Sequence, residues 1–294
     1  MLLDWVTVRC PLELLSDEAR LIAQNLGDRI SRFCPKTGDV RYVTTAWDSI
    51  RSDSHQMAMR AGSDLWLQGS PARLIGDGDA VFGAGASAAL CLVGCVTRMI
   101  QFAKAQLNVD LPSFEKWIVS RIDITGNYRL ASLAEVREAL ALLRNCDGGR
   151  YRVSQQKGDT VYWSHGSKMK SGKAYAKGPH LIHLMKKPDY TGYQYSPDQI
   201  QKSEPILRLE LKLGREWFSR NNWQTLTAEQ LKKEFDDYFG RMIGGAEMKD
   251  DGDLRKAVMA AAKTEGQGKA AYGCWMMIQS EGWERARDFY AKPS

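Results

Sequence analysis

The segment from Ser164 to Lys187, SHGSKMKSGKAYAKGPHLIHLMKK, concentrates side chains that could do chemistry: six lysines and three histidines surround one tyrosine, Tyr175. A phenol among ammonium groups suits nucleophilic attack on a phosphodiester. Its ordinary pKa is about 10, so it must be activated. A nearby ammonium lowers that value and stabilises the charge that builds on a pentacoordinate phosphorus. Lys177 lies two residues from Tyr175, so on a strand both side chains point the same way. The same pattern also describes a basic surface hairpin with a packed tyrosine.

Two other segments place an acid among bases. In WIVSRIDIT, Trp117 to Thr125, strand alternation puts Val119, Arg121 and Asp123 on one face and Ile118, Ser120, Ile122 and Ile124 on the other. In ILRLELKL, Ile206 to Leu213, Arg208, Glu210 and Lys212 share one face and the leucines the other. If these faces converge, Asp123 and Glu210 could hold Mg²⁺ or Mn²⁺, which take hard oxygen ligands. The alternative is a solvated face with cross-strand ion pairs. The pair His180 and His183 has the spacing of one helix face and is a weak metal signal by itself.

Several classes are excluded. No P-loop, no GxGxxG after a strand and no GxSxG elbow is present, so no built-in helicase or ATPase is expected. The six cysteines form no CxxC pair, which argues against a zinc ribbon and for a reducing cytoplasm. The N-terminus lacks a basic stretch and carries Asp4, unlike a signal peptide. The apolar run Ala80 to Val96 reads as the core part of a helix from Ala86 to Leu107 rather than a membrane span. A net charge of +6 suits a phosphate-bearing partner without requiring one.

The elements that would position these residues are strands at Leu3–Arg9, Val40–Thr45, Gln56–Ala61, Asp64–Gln68, Tyr151–Gln155, Thr160–Ser164 and Lys173–Lys177, besides the two acid-bearing ones. Helices are expected at Asp17–Leu26 and at Ser132–Arg144, where Ser132 and Glu135 spell a capping box. Beyond Gly214 the pattern is helical, at Arg215–Arg220, Ala228–Met242, Asp253–Lys263 and Gly268–Tyr290. A boundary near residue 222 separates a sheet-containing part, 1–222, from a helical part, 223–294.

Six ordered blocks together resemble the gene II replication initiators of filamentous phages, and more distantly the rolling-circle plasmid initiators. They are MLLDWVTVRCPL; LQGSPARLIGDGDAVFG, from Leu67; SRIDIT, from Ser120; TVYWSHGSKMKSGKAYAKGPHL, from Thr160; LRLELKL, from Leu207; and GKAAYGCWMMIQSEGW, from Gly268. The resemblance implies an α+β fold of the HUH-like initiator type: a central, mainly antiparallel sheet flanked by helices, with a helical C-terminal part. Relatives often continue past Tyr290, which suggests a short member or a piece of a longer chain.

By the same resemblance Tyr175 falls on the nucleophile, Lys177 on the lysine beside it, and Asp123 and Glu210 on acids that bind the divalent metal. His180 stands where such families commonly have a glutamate, so it is expected to bind Mg²⁺ or Mn²⁺ or to act as a base on the phenol. Lys168, Lys170, Lys173, Arg121 and Arg208 are expected to contact DNA. The implied activity is nicking and rejoining of origin DNA through a 5′-phosphotyrosine. The implied substrate is single-stranded at the nick with duplex nearby, and host helicase and polymerase act with it in the bacterial cytoplasm, away from membranes. An origin-binding regulator and a hydrolytic metal-dependent nuclease are the competing readings.

Overall fold

Alternation of apolar and polar residues along successive strands builds one sheet with two unlike faces. The computed structural model describes residues 1–52, 55–71, 90–146, 153–155, 158–188, 190, 194–243 and 264–281. Its strands are β1 (Leu2–Pro11), β2 (Arg29–Phe33), β3 (Val40–Thr45), β4 (Asp48–Ser52), β5 (His55–Ala61), β6 (Asp64–Gly69), β7 (Ile118–Arg129), β8 (Val153–Gln155), β9 (Thr160–Trp163), β10 (Lys170–Ala176) and β11 (Ile206–Leu213). Among the described residues nine of them form one sheet in the order β4-β5-β6-β1-β7-β11-β10-β9-β8, and β2 pairs with β3 separately. Every neighbouring pair is antiparallel. With helices packed on it, this is the expected α+β architecture.

The helices are α1 (Asp17–Gln24), α2 (Leu92–Leu107), α3 (Leu133–Leu143), α4 (Lys177–Met185), α5 (Pro197–Ser203), α6 (Arg215–Phe218), α7 (Ala228–Ile243) and α8 (Glu265–Glu281). Ser132 caps α3 by accepting from the Glu135 amide, but Glu135 reaches back to the Ala131 amide rather than to Ser132, so half of the expected capping box forms. The expected helical segment 253–263, the loop part of the second block (72–83) and the start of the expected helix at Ala86 lie outside the described residues. No described helix is long and apolar enough to cross a membrane.

Buried side chains of α1, α2, α3 and α7 join Leu3, Val6, Val8, Met59, Leu67, Ile122, Ile124, Val161, Trp163, Ala174, Leu209 and Leu211 in one core on one face of the sheet. In α7, Leu231, Phe235, Tyr238, Phe239 and Met242 form the buried stripe that an amphipathic helix lays on a sheet. Gly172 of β10 makes that approach possible, because a Cβ there would lie 2.6 Å from the Tyr238 ring. Two compact units result, Met1–Gly245 and Ala246–Ser294. The boundary expected near residue 222 therefore falls later, since α7 belongs to the sheet it covers.

Two bulges interrupt the alternation where β1 pairs with β7. The register of β1 on β7 slips between Leu3 and Trp5, which makes Asp4 an extra residue. It slips again between Thr7 and Val8, which makes Ser120 the extra residue on β7, and the Ser120 hydroxyl donates to the Thr7 carbonyl. Val119 consequently joins the core rather than sharing a face with Arg121 and Asp123, as strict alternation had it. Bulges of this kind re-aim side chains next to functional sites.

Candidate active site

The polar face of β7, β11 and β10 gathers most of the expected site. Cross-strand pairing sets Lys173 opposite Glu210 and Tyr175 opposite Arg208, while Glu210 pairs with Thr125 and Lys212 with Asp123. Directly opposed residues on one face are close enough to interact. The Tyr175 hydroxyl donates to Glu210 Oε1 at 2.6 Å. Lys173 Nζ lies 3.6 Å from the other Glu210 oxygen and 3.9 Å from the centre of the Tyr175 ring.

Arg208 completes the surroundings of the phenol. It is 2% exposed, donates to Asn127 Oδ1 at 2.8 Å and to Asp4 Oδ2 at 3.1 Å, and its guanidinium also bonds the Tyr175 hydroxyl. Burial opposes its charge, but the neighbouring Tyr175 and the carboxylates of Asp4 and Glu210 outweigh that and raise its pKa. Its side chain is 3% exposed and stands across the strand pair from Tyr175, rather than on the open surface of the sheet. Asp4 and Asn127 were not singled out from sequence.

Asp123 is buried, and Arg121 forks onto both of its oxygens at 2.8 and 2.5 Å. Burial pushes the Asp123 pKa up, Arg121 works against that, and Glu210 and Asp4 add to the rise. Among the described residues no three His, Cys, Asp or Glu side chains gather as a metal centre. The expected set of Asp123, Glu210 and His180 is therefore not assembled. The two carboxylates do share a face, within electrostatic reach of each other. The hydroxyl of Thr125, opposite Glu210 and two residues from Asp123, is buried and has no hydrogen-bond partner. Two carboxylates and an orphaned hydroxyl suit a hard, oxygen-preferring cation.

His180 lies against the phenol. Its ring packs on Tyr175 at 4.5 Å between centroids. Burial, with Lys173, Lys177 and Arg208, depresses its pKa to about 3, so the imidazole is neutral and a poor proton acceptor. The acceptor in contact with the phenol is Glu210. His180 and His183 do share the face of a helix, α4, and line an opening of about 300 Å³ with Asp159, Thr160, Ala176 and Pro179.

The lysines separate. β10 ends at Ala176, so Lys177 begins α4 instead of continuing the strand, and it is buried. Pro179 fits that first turn because its missing amide would have had no helical partner. Lys170 has the strand parity of Gly172 and Ala174, on the helix-covered face, and pairs with Glu234 of α7. It is not available for the DNA contact expected of it. Lys168 is exposed in the turn before β10, and Arg121 remains on the polar face.

Tyr175 itself is 2% exposed, and its pKa stands well above 10, first through burial and next through the charge of Glu210, with Arg208 pulling the other way. The resting phenol is thus protonated, with its proton directed at a carboxylate.

A family model that describes the N-terminal part of the gene II replication-associated protein matches residues 2–234. The chain belongs to this gene II replication protein family. A structure titled as a rolling circle replication initiator protein from Geobacillus stearothermophilus is similar with a TM-score of 0.36 and 8% identity, over 80% of this chain and 83% of that one. No curated protein matches the chain.

Proposed function

We propose that this protein initiates rolling-circle replication of a phage genome by nicking and rejoining one origin strand through Tyr175. The observation that carries the reading is the Tyr175 hydroxyl held by Glu210 and Arg208 on a cation-rich sheet face, in a chain of a phage replication family. As the Tyr175 oxygen bonds to phosphorus, its proton passes to Glu210. The bond from phosphorus to the 3′ oxygen breaks, and that oxygen takes a proton from water. A 5′-phosphotyrosine and a free 3′-OH result. Arg208 and Lys173 neutralise the charge that grows on the phosphoryl oxygens.

Reversal of the same steps rejoins the strand without ATP, because the phosphotyrosine conserves the energy of the broken bond. Asp123 and Glu210, with Thr125 beside them, would hold Mg²⁺ or Mn²⁺; when bound, the ion supplies Lewis-acid polarisation of the scissile phosphate. Host helicase and polymerase, in the bacterial cytoplasm, would unwind the duplex and extend the 3′ end.

Labelled origin single strand incubated with protein and Mg²⁺ or Mn²⁺ tests this on a denaturing gel. A covalent adduct is expected, and it disappears in Tyr175→Phe. Cleavage that survives the substitution points to hydrolysis instead, and binding without cleavage points to a regulator.

A further inference from the structure

Strands β2 and β3 form a two-stranded ribbon outside the main sheet. Every residue of both strands except Thr45 is exposed. Ile30, Phe33, Val40, Tyr42 and Val43 each keep between 49% and 57% of their surface in solvent. An isolated two-stranded hairpin is marginal in water, and an exposed apolar patch of this kind marks a binding surface.

The ribbon is nonetheless preformed. At its base Gly27 has φ +71°, and a Cβ there would lie 2.3 Å from the Ala46 carbonyl oxygen; the Ala46 amide donates to the Asp28 carbonyl at 2.8 Å. At its tip the Cys34 amide donates to the Asp39 carbonyl at 2.7 Å, and the Thr37 hydroxyl donates to the Asp39 carboxylate at 2.6 Å. Arg29, Arg32, Lys36 and Arg41 outnumber Asp28 and Asp39 along it. Register places Arg32 beside Tyr42 on one face and Arg29 beside Thr45 on the other. Basic side chains interleaved with aromatic ones match a phosphate-lined groove better than a second apolar surface. Strands of this length span about 17 Å. A DNA major groove about 12 Å wide accepts a two-stranded ribbon.

We propose that the ribbon of residues 29–45 is an arm that grips the duplex part of the DNA substrate from within a groove. The proposal rests on the reading of the protein as DNA-acting, but its test needs no nick. In the Tyr175→Phe protein, affinity for a mixed-sequence duplex is measured across a range of salt. Combining Arg29→Gln, Arg32→Gln and Arg41→Gln should weaken binding at least tenfold and flatten the slope of log K against log salt by about 2 to 3.

Cys34 gives a second readout that requires no further variant. Hydrogen bonds from Thr37, Lys36 and Arg41 lower the pKa of its thiol, which favours the reactive thiolate. Bound duplex should slow its alkylation by iodoacetamide, followed by peptide mapping. An unchanged salt slope in the folded triple variant, or alkylation of Cys34 that is indifferent to duplex, overturns the proposal. So does protection of Cys34 that rises with protein concentration in the absence of DNA, accompanied by dimerisation, which would make the ribbon a contact between copies of the chain.

Discussion

The two faces of the sheet are built from the same strands yet held together by different physics. On the helix-covered face, Trp163, Ala174, Leu209 and Ile124 pack against apolar helices, and stability comes from area removed from water. On the opposite face, Tyr175, Glu210, Arg208 and Asp123 are also largely buried, but each is held by a charged or hydrogen-bonded partner. Burial there costs desolvation, which the partners offset only as a set. Substitutions on the first face should therefore reduce stability and leave chemistry intact. Substitutions on the second should affect both, and the network should fail as a unit.

Trp163→Ala breaks the comparison most severely if it is wrong. Trp163 is fully buried, packs edge-on against Phe239 with centroids 5.9 Å apart, and donates to the Cys146 carbonyl at 2.8 Å. Its loss should cost about 3–5 kcal/mol in urea unfolding. The adduct-forming rate per folded molecule, taken at low temperature, should not change. A rate that falls in step with stability would show that the faces are not separable.

Arg208→Gln should cost up to about 3–5 kcal/mol, because it removes the buried cation that bonds both Asp4 and Asn127. Unlike Trp163→Ala, it should also slow adduct formation by about a hundredfold at saturating oligonucleotide, as removal of a charge-stabilising donor does. Weakened oligonucleotide binding with an unchanged rate would return Arg208 to a backbone contact.

How far these faces could be read from sequence follows from the bulges. The strict alternation of β11 placed Glu210 and Arg208 opposite the leucines, and the structure keeps them there. In β7 the same rule misassigned Val119, because Ser120 is an inserted residue. A signal for this exists: regular alternation from Ile122 would put Ser120 among core residues, and alternation from Val6 and Val8 would do the same to Asp4. A polar residue at a core parity is the mark of a bulge, and Asp4, missed from sequence, sits in one. Lys177 was misplaced for another reason, since alternation cannot say where β10 gives way to α4. The packing of His180 on Tyr175 could not be read for the same reason, because it depends on where β10 ends and how α4 leaves it.

His180 sharpens the comparison through pH. Its pKa is about 3 in the folded chain and about 6.5 when unfolded. A depressed value means that its contribution to stability is complete above about 6.5 and is lost as pH falls toward 3. Between pH 7 and pH 4 the loss should be on the order of 3 kcal/mol. His180→Phe, which keeps a ring against Tyr175, should remove that part of the pH dependence of the urea midpoint. An identical slope in the variant would mean that the imidazole charges freely in the folded state.

Thr125→Val is the smallest perturbation and the most discriminating. The Thr125 hydroxyl is buried without a partner, so replacing it by a methyl group of similar size should leave stability unchanged or raise it by less than about 1 kcal/mol. On the helix-covered face such a change would be silent in every assay. On the polar face it should weaken Mn²⁺ binding, read by the electron paramagnetic resonance of free Mn²⁺, by several-fold and without loss of fold. Asp123→Asn should weaken the same signal more. If Asp123→Asn weakens Mn²⁺ binding and Thr125→Val does not, the carboxylates hold the ion without the hydroxyl, and the orphaned oxygen has another partner, such as a phosphate oxygen of the bound strand.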